Sequence, residues 1–266
     1  ALPISILTKI SFGLLLTFGC LIAGTNQSFA QPAHLVISQV YGGGGNTGAP
    51  YTNDFVELFN PTASTVSVTG MSVQYASATG TTWAVAAITG SIAPGKYYLI
   101  KMATGGAVGI ALPTEDFAST GINMSGTAGK VVLASQTAAY AVACPSTNVI
   151  DFVGFGATAN CSETSPTPAP SNTTSVIRAN GGCTDADNNS TDFSAGTPTP
   201  RNSASAANIC APVTQATNVA FSSVLSNQFN FNWTNGNGSS RAAFIAQTNT
   251  GSAAPVNGTK IGRAHV

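Results

Sequence analysis

The chain has 266 residues, nine Lys and Arg against nine Asp and Glu, and only 7% charged residues in all. This excludes a basic surface for nucleic acid, which needs clustered Lys and Arg; Lys96, Lys101, Lys130, Arg178 and Arg201 are scattered. A surface of Ser, Thr, Asn and Gly suits one large β-domain or two modest ones and disfavours long helices.

Residues 1–30 read as an export signal. Lys9 precedes the apolar run ISFGLLLTFGCLIAG, and Ser28 and Ala30 place small residues at a cleavage position. The run is shorter than the ~20 residues of a membrane span, so none is expected after cleavage. An uncleaved anchor is the alternative; lipidation at Cys20 lacks the usual aliphatic residue three positions earlier. The chain opens on Ala1 rather than Met, which points to a start further upstream.

After the signal, the runs HLVISQVY, DFVELFN, TVSVTGMSVQYA, TTWAVAAIT, KYYLIKM, KVVLAS, AAYAVA and NVIDFVGFG read as strands rich in Val, Ile, Tyr and Phe. NPTAST, ATGT, APGK and SGTAG separate them with turn residues. No segment carries a helical period, so the expected class is an all-β sandwich. SETSPTPAPSNTT (162–174) reads as a long loop within this domain, and GTPTPRNSASAANICAPV (196–213) as its boundary. Beyond it, ATNVAFSSV, QFNFNWTNG and RAAFIAQT alternate like three strands of a second sandwich.

Removal of the signal leaves Cys144, Cys161, Cys183 and Cys210. An even set in an exported chain implies two disulfides with three possible pairings. Cys144–Cys161 with Cys183–Cys210 is favoured because each closes a local loop. Zinc is the competing use, but Cys-x-x-Cys is absent and only His34 could assist.

The run GGGGNTG (42–48) raises the question of phosphate binding. A P-loop needs a Lys, a Ser or Thr behind it and a helix opening on the anion. Here Ala49, Pro50 and a strand follow, so the glycines are expected to supply positive-φ positions in a turn. With His34 and His265 the only histidines, a Ser-His-Asp or Cys-His site has almost no base. Asp54 and Glu57, three apart on one strand, point to opposite faces and form no carboxylate pair. Neither a catalytic nor a cofactor-binding set is therefore expected. The sole metal candidate is CTDADNNSTDF, where Asp185, Asp187 and Asn189 alternate oxygens as a calcium loop would. Ser190 and Gly196 occupy the positions where an EF-hand needs Gly and Glu, and side-chain-to-backbone turns are the alternative reading.

VISQVYGGGGNTGAPYTNDFVELFNPT, APGKYYLI, VIDFVGFG and TDADNNSTDFSAGTPTPRNS occur in an order that resembles the bacterial form of the lamin-tail domain, from about His34 to Ser203. The resemblance implies an immunoglobulin-like β-sandwich of lamin-tail type over residues 31–203, used for association rather than catalysis. It also implies that Asp54, Glu57, Asp151, Arg178, Asp187, Asn189 and Asp192 are structural. Residues 204–212 then form a linker. Residues 213–260 resemble the start of a fibronectin type III domain with Trp233 as its core residue, too short to complete a sandwich of ~100 residues. IGRAHV (261–266) is what a common sequencing adapter encodes in frame, so His265 and Arg263 carry no functional argument. The expected function is an exported binding, adhesion or positioning module at the cell surface or outside the cell, with protein, glycan or cell envelope as partner. The alternative is the accessory N-terminal part of a secreted nuclease or phosphoesterase.

Overall fold

The computed structural model describes residues 32–210, 217–222 and 230–234. The export signal, the expected third strand of the second domain, His265 and the adapter-like tail lie outside the described residues. The strands are β1 (Val36–Tyr41), β2 (Phe55–Phe59), β3 (Val66–Ser67), β4 (Ser72–Ser77), β5 (Ala84–Ala87), β6 (Ser91–Ile92), β7 (Tyr97–Lys101), β8 (Phe117–Ala118), β9 (Gly129–Ala134), β10 (Val149–Phe155) and β11 (Ser175–Arg178). A single helical turn, α1 (Asn189–Asp192), leads into β12 (Phe193–Gly196), and β13 (Thr217–Ser222) pairs with β14 (Asn230–Thr234).

Two sheets form the sandwich, one in the order β12-β11-β1-β2-β7-β8 and the other β10-β9-β4-β5. Alternation fills the space between them: Val56, Leu58, Tyr98 and Ile100 face Val73, Val131, Leu133, Val153 and Phe155 in one apolar core. A register shift between Ile37 and Gln39 breaks the alternation of β1. It turns two consecutive residues, Ser38 and Gln39, outward, so that Ile37 and Val40 both reach the core.

The outer faces are buried too, which alternation alone does not predict. On the large sheet, Tyr41, Phe55 and Leu99 pack under Tyr51 and Leu112. Val36, Phe59 and Tyr97 pack against Cys183 and Cys210. On the small sheet, Trp83, Val132 and Phe152 pack with Tyr140 and Ala143. The expected strand AAYAVA is therefore not a strand. Residues 138–143 form a loop laid over the small sheet, held where Gln74 Oε1 accepts from the Tyr140 backbone N–H. Their apolar residues serve a lid, which short-range periodicity cannot tell from a strand.

Both favoured disulfides form, Cys144–Cys161 and Cys183–Cys210. The expected linker behaves differently from a linker. Residues 199–210 cross the outer face of the large sheet as a strap: Thr199 bonds Gln39, Arg201 bonds Glu57, Ser203 bonds Asp116, Ser205 accepts from Lys96, and Asn208 bonds Gly95. Cys210 then pins the strap's end. The segment is thus docked on a surface, with a turn at Asn202–Ser205, rather than a free spacer.

The register also sets two poles. Val36, Phe59 and Tyr97 are aligned at one end of the large sheet, and Tyr41, Phe55 and Lys101 at the other. The chain enters the sandwich next to Val36 and leaves it at Cys210, which packs on that same cluster. Both passages thus lie at one pole. The glycine run and residues 102–116 lie at the opposite one.

Candidate functional site

Arg178 projects from β11 between the sheets and is fully buried. Its Nη2 donates to both Asp151 carboxylate oxygens at 2.9 and 2.8 Å, Nη1 to Asp185 Oδ1 at 2.9 Å, and Nε to the Ile37 carbonyl at 2.9 Å. Asp192 lies 3.8 Å away, and the guanidinium stacks over Phe193. Opposed carboxylates drive the Arg178 pKa up even though burial acts against it. Asp151 belongs to β10, so this pair ties one sheet to the other.

Asn189 occupies another structural position. Its Oδ1 accepts from Gly154 N at 2.9 Å and its Nδ2 donates to Phe152 O at 2.9 Å, so the carboxamide pairs with the outer edge of β10 as a peptide group would. Glu163 accepts there as well, from Phe152 N and Asn189 Nδ2. Of the residues expected to offer oxygens to calcium, then, Asp185 is turned onto Arg178 and Asn189 onto β10. Asp187 alone is exposed, in a left-handed turn at φ 52°. Among the described residues no group of three His, Cys, Asp or Glu is arranged to hold a metal ion.

The remaining buried charges have similar tasks. Glu57 is covered by the strap: its oxygens accept from Arg201 Nη2 at 2.7 Å, Arg201 backbone N at 2.6 Å and the Ser38 hydroxyl. Arg201 also stacks 3.7 Å from the Tyr97 ring centroid. Sequence reasoning missed Arg201 because nothing in its neighbourhood marks a partner 144 positions away. Lys130 is buried on the outer face of the small sheet and donates to Gly80 O, Ala143 O and Asn160 Oδ1 at 2.8–2.9 Å. It thereby holds the covering loop down, and burial lowers its pKa. A shallow cleft beside Cys144–Cys161, floored by Phe152, has no acidic, basic or histidine side chain in its walls. It offers nothing for proton transfer.

Asp54 accepts from Gly44 N and Met124 N at 2.8 Å, and burial pushes its pKa up from 3.8 to about 7. Glu163 is pushed from 4.5 to about 8 by burial and the nearby Asp151 and Asp185 charges, against the pull of Arg178. Both folded pKa values exceed the unfolded ones, so the folded state binds protons that the unfolded chain releases. Stability is greatest at the acid end of this window and is lost as pH rises toward 7 to 8. Calorimetry is expected to give a higher melting temperature at pH 5.5 than at pH 8.5. The opposite slope would mean that these carboxyls are ionised in the fold throughout that range.

The pole opposite the chain's entry is built differently. Gly45 and Gly48 have positive φ, 76° and 80°, as expected of the run, whereas Gly42, Gly43 and Gly44 do not. Gly42, Gly43 and Gly44 are needed because backbone lies against backbone: a Cβ on them would strike Ser125 O, Asn172 Cα and Asn53 C. This tight loop receives residues 105–110. Gly105 N donates to Gly44 O, Val108 N to Gly45 O, Thr52 N to Ile110 O and Ile110 N to Pro50 O. Gly109, at φ 106°, sits where any side chain would meet the Tyr51 backbone.

These bonds hold two branched aliphatic residues in solvent, Val108 at 45% and Ile110 at 68% exposure. Neither loop contains a charged residue from Gly42 to Asn53 or from Met102 to Thr114. Lys101 and Glu115, at the base, pair with each other. The result is a rigid, uncharged tip with an apolar surface. Sequence reasoning did not single it out; the available signal was two branched aliphatic residues in a glycine-rich stretch without strand alternation.

Residues 28–157 match the family model of the Lamin Tail Domain. The match ends before β11 and β12, which complete the large sheet. No curated protein matches the chain. Among solved structures, the crystal structure of a DUF4876 family protein from Bacteroides thetaiotaomicron is similar at 13% identity and a TM-score of 0.42, over 65% of this chain and 73% of that one. The sandwich, with its two facing sheets and the match across β1 to β10, is an immunoglobulin-like β-sandwich of the lamin-tail type.

Proposed function

We propose that the chain is an exported, non-catalytic binding module of a multidomain bacterial protein, and that it contacts its partner through the tip at Val108 and Ile110. The observation that carries this reading is the rigid display of two apolar side chains at the pole farthest from the chain's entry and exit. Exposed apolar residues on a preorganised loop lose little entropy when they are covered by a partner. Two disulfides and the apolar leader support export. The pair β13–β14 we read as the opening of a fibronectin type III-like domain. It follows a strap fixed to the sandwich, which suits a module that positions what it is joined to.

The test compares the full chain with a Val108→Asp/Ile110→Asp variant for co-sedimentation with cell-envelope preparations, peptidoglycan and chitin. Covering two aliphatic side chains is worth at least ~1.4 kcal/mol, so the variant is expected to bind about tenfold more weakly or worse. Its melting temperature should be unchanged, since both positions are at the surface. Equal retention of the two proteins would remove the tip from this role.

A further inference from the structure

The two sheets leave four edge strands, β12 and β8 on one and β10 and β5 on the other. Exposed edges invite pairing with another strand unless something blunts them. Three are blunted. The carboxamide of Asn189 and the carboxylate of Glu163 occupy β10, and Thr167 N donates to Gly154 O along the same edge. Strand β8 is two residues long. Strand β12 runs directly into Thr197, Pro198, Thr199 and Pro200, and proline cannot extend a ladder.

Strand β5 has none of these devices. Ile88 N donates to Met71 O, which fixes the alternation: Ala84 and Ala86 bond β4, while Val85 and Ala87 point their N–H and C=O groups away from the sheet. No hydrogen bond from the described residues reaches those groups. The side chains are small, and no charged residue occurs between Glu57 and Lys96.

We infer that this edge pairs with the same strand of a second copy, antiparallel about a two-fold axis at Ala86. Val85 of each copy then faces Ala87 of the other, and each such pair exchanges both of its hydrogen bonds. Alanine meets alanine at the axis, and no charge opposes the contact. A second copy fits better than a free peptide: it brings a strand already ordered by β4, with its outward groups at Val85 and Ala87 placed symmetrically about Ala86, whereas a peptide pays to become extended. The sheet β10-β9-β4-β5 continues across the axis into its symmetry mate. An interface this small makes the association weak and reversible.

Sedimentation equilibrium of the full chain, from roughly 10 μM to 1 mM, is expected to show an average mass rising with concentration toward the dimer. Ala87→Pro removes one outward N–H at an edge position where proline is tolerated, and Val85→Lys adds a charge beside the axis. Both variants should remain monomeric over the whole range with melting temperatures close to that of the parent. The inference is overturned if the parent is monomeric at 1 mM, or if Ala87→Pro associates as strongly as the parent. It is equally overturned if association vanishes in the Val108→Asp/Ile110→Asp variant but persists in Val85→Lys, which would place the contact at the tip.

Discussion

Replacement of Arg178 by methionine is expected to cost about 3–5 kcal/mol of folding stability, the range for removing one partner of a buried ion pair. Methionine fills much of the same space but strands Asp151 and Asp185, and it leaves Ile37 O and Thr184 O without their donor. The buried carboxylates then lack their cation, and the Ile37 N–H to Asp151 bond is left to tie the sheets at this point. Arg178→Lys should recover only part of the loss, because an ammonium cannot donate to both Asp151 oxygens and Asp185 in the planar geometry of the guanidinium. Urea unfolding measures both. A loss below ~1 kcal/mol for Arg178→Met would show that the cluster contributes little beyond its volume.

The second large effect belongs to the strap. Arg201→Ala is expected to cost about 3 kcal/mol, since Glu57 loses its cation while remaining buried. Burial already raises the pKa of Glu57, so without Arg201 the carboxyl is driven further toward its neutral form. Adding Glu57→Gln to Arg201→Ala removes the stranded charge and should restore roughly half of the loss; the rest reflects the stacking on Tyr97. A double-mutant cycle with no coupling between the two positions would show that the strap is held by Cys183–Cys210 and its backbone bonds alone.

The parts of this fold that could be read in advance are those governed by local rules. Tyr97–Lys101 and Val149–Phe155 combine β-branched and aromatic residues between turn signals, and they are strands. Cysteine spacing favoured the pairs that form because loop closure is a short-range property. Ser175–Arg178 and Phe193–Gly196 went unread because each is four residues long and borders Pro- or Asn-rich sequence, so neither shows a period. The burial of Glu57 was out of reach for another reason: its cover arrives from the far end of the domain. The glycine run was read for positive φ alone, which Gly45 and Gly48 supply, while Gly42, Gly43 and Gly44 answer to close packing. Positive φ is visible in a residue's own chemistry, whereas the approach of Asn53, Ser125 and Asn172 is a property of the assembled fold. Val108 and Ile110 escaped for the same cause, since exposure is not encoded in a five-residue window.

Entry and exit at one pole have a mechanical meaning. Tension transmitted through the flanking chain is applied near Val36 and at Cys210, and the bond from Cys210 to Cys183 hands it to the residues just beyond β11. Because β1 and β11 are neighbours in the large sheet, the line of force crosses one end of the sandwich instead of running through its length. The glycine loop and the residues it carries hang outside that line. They keep their shape while the chain on either side is pulled.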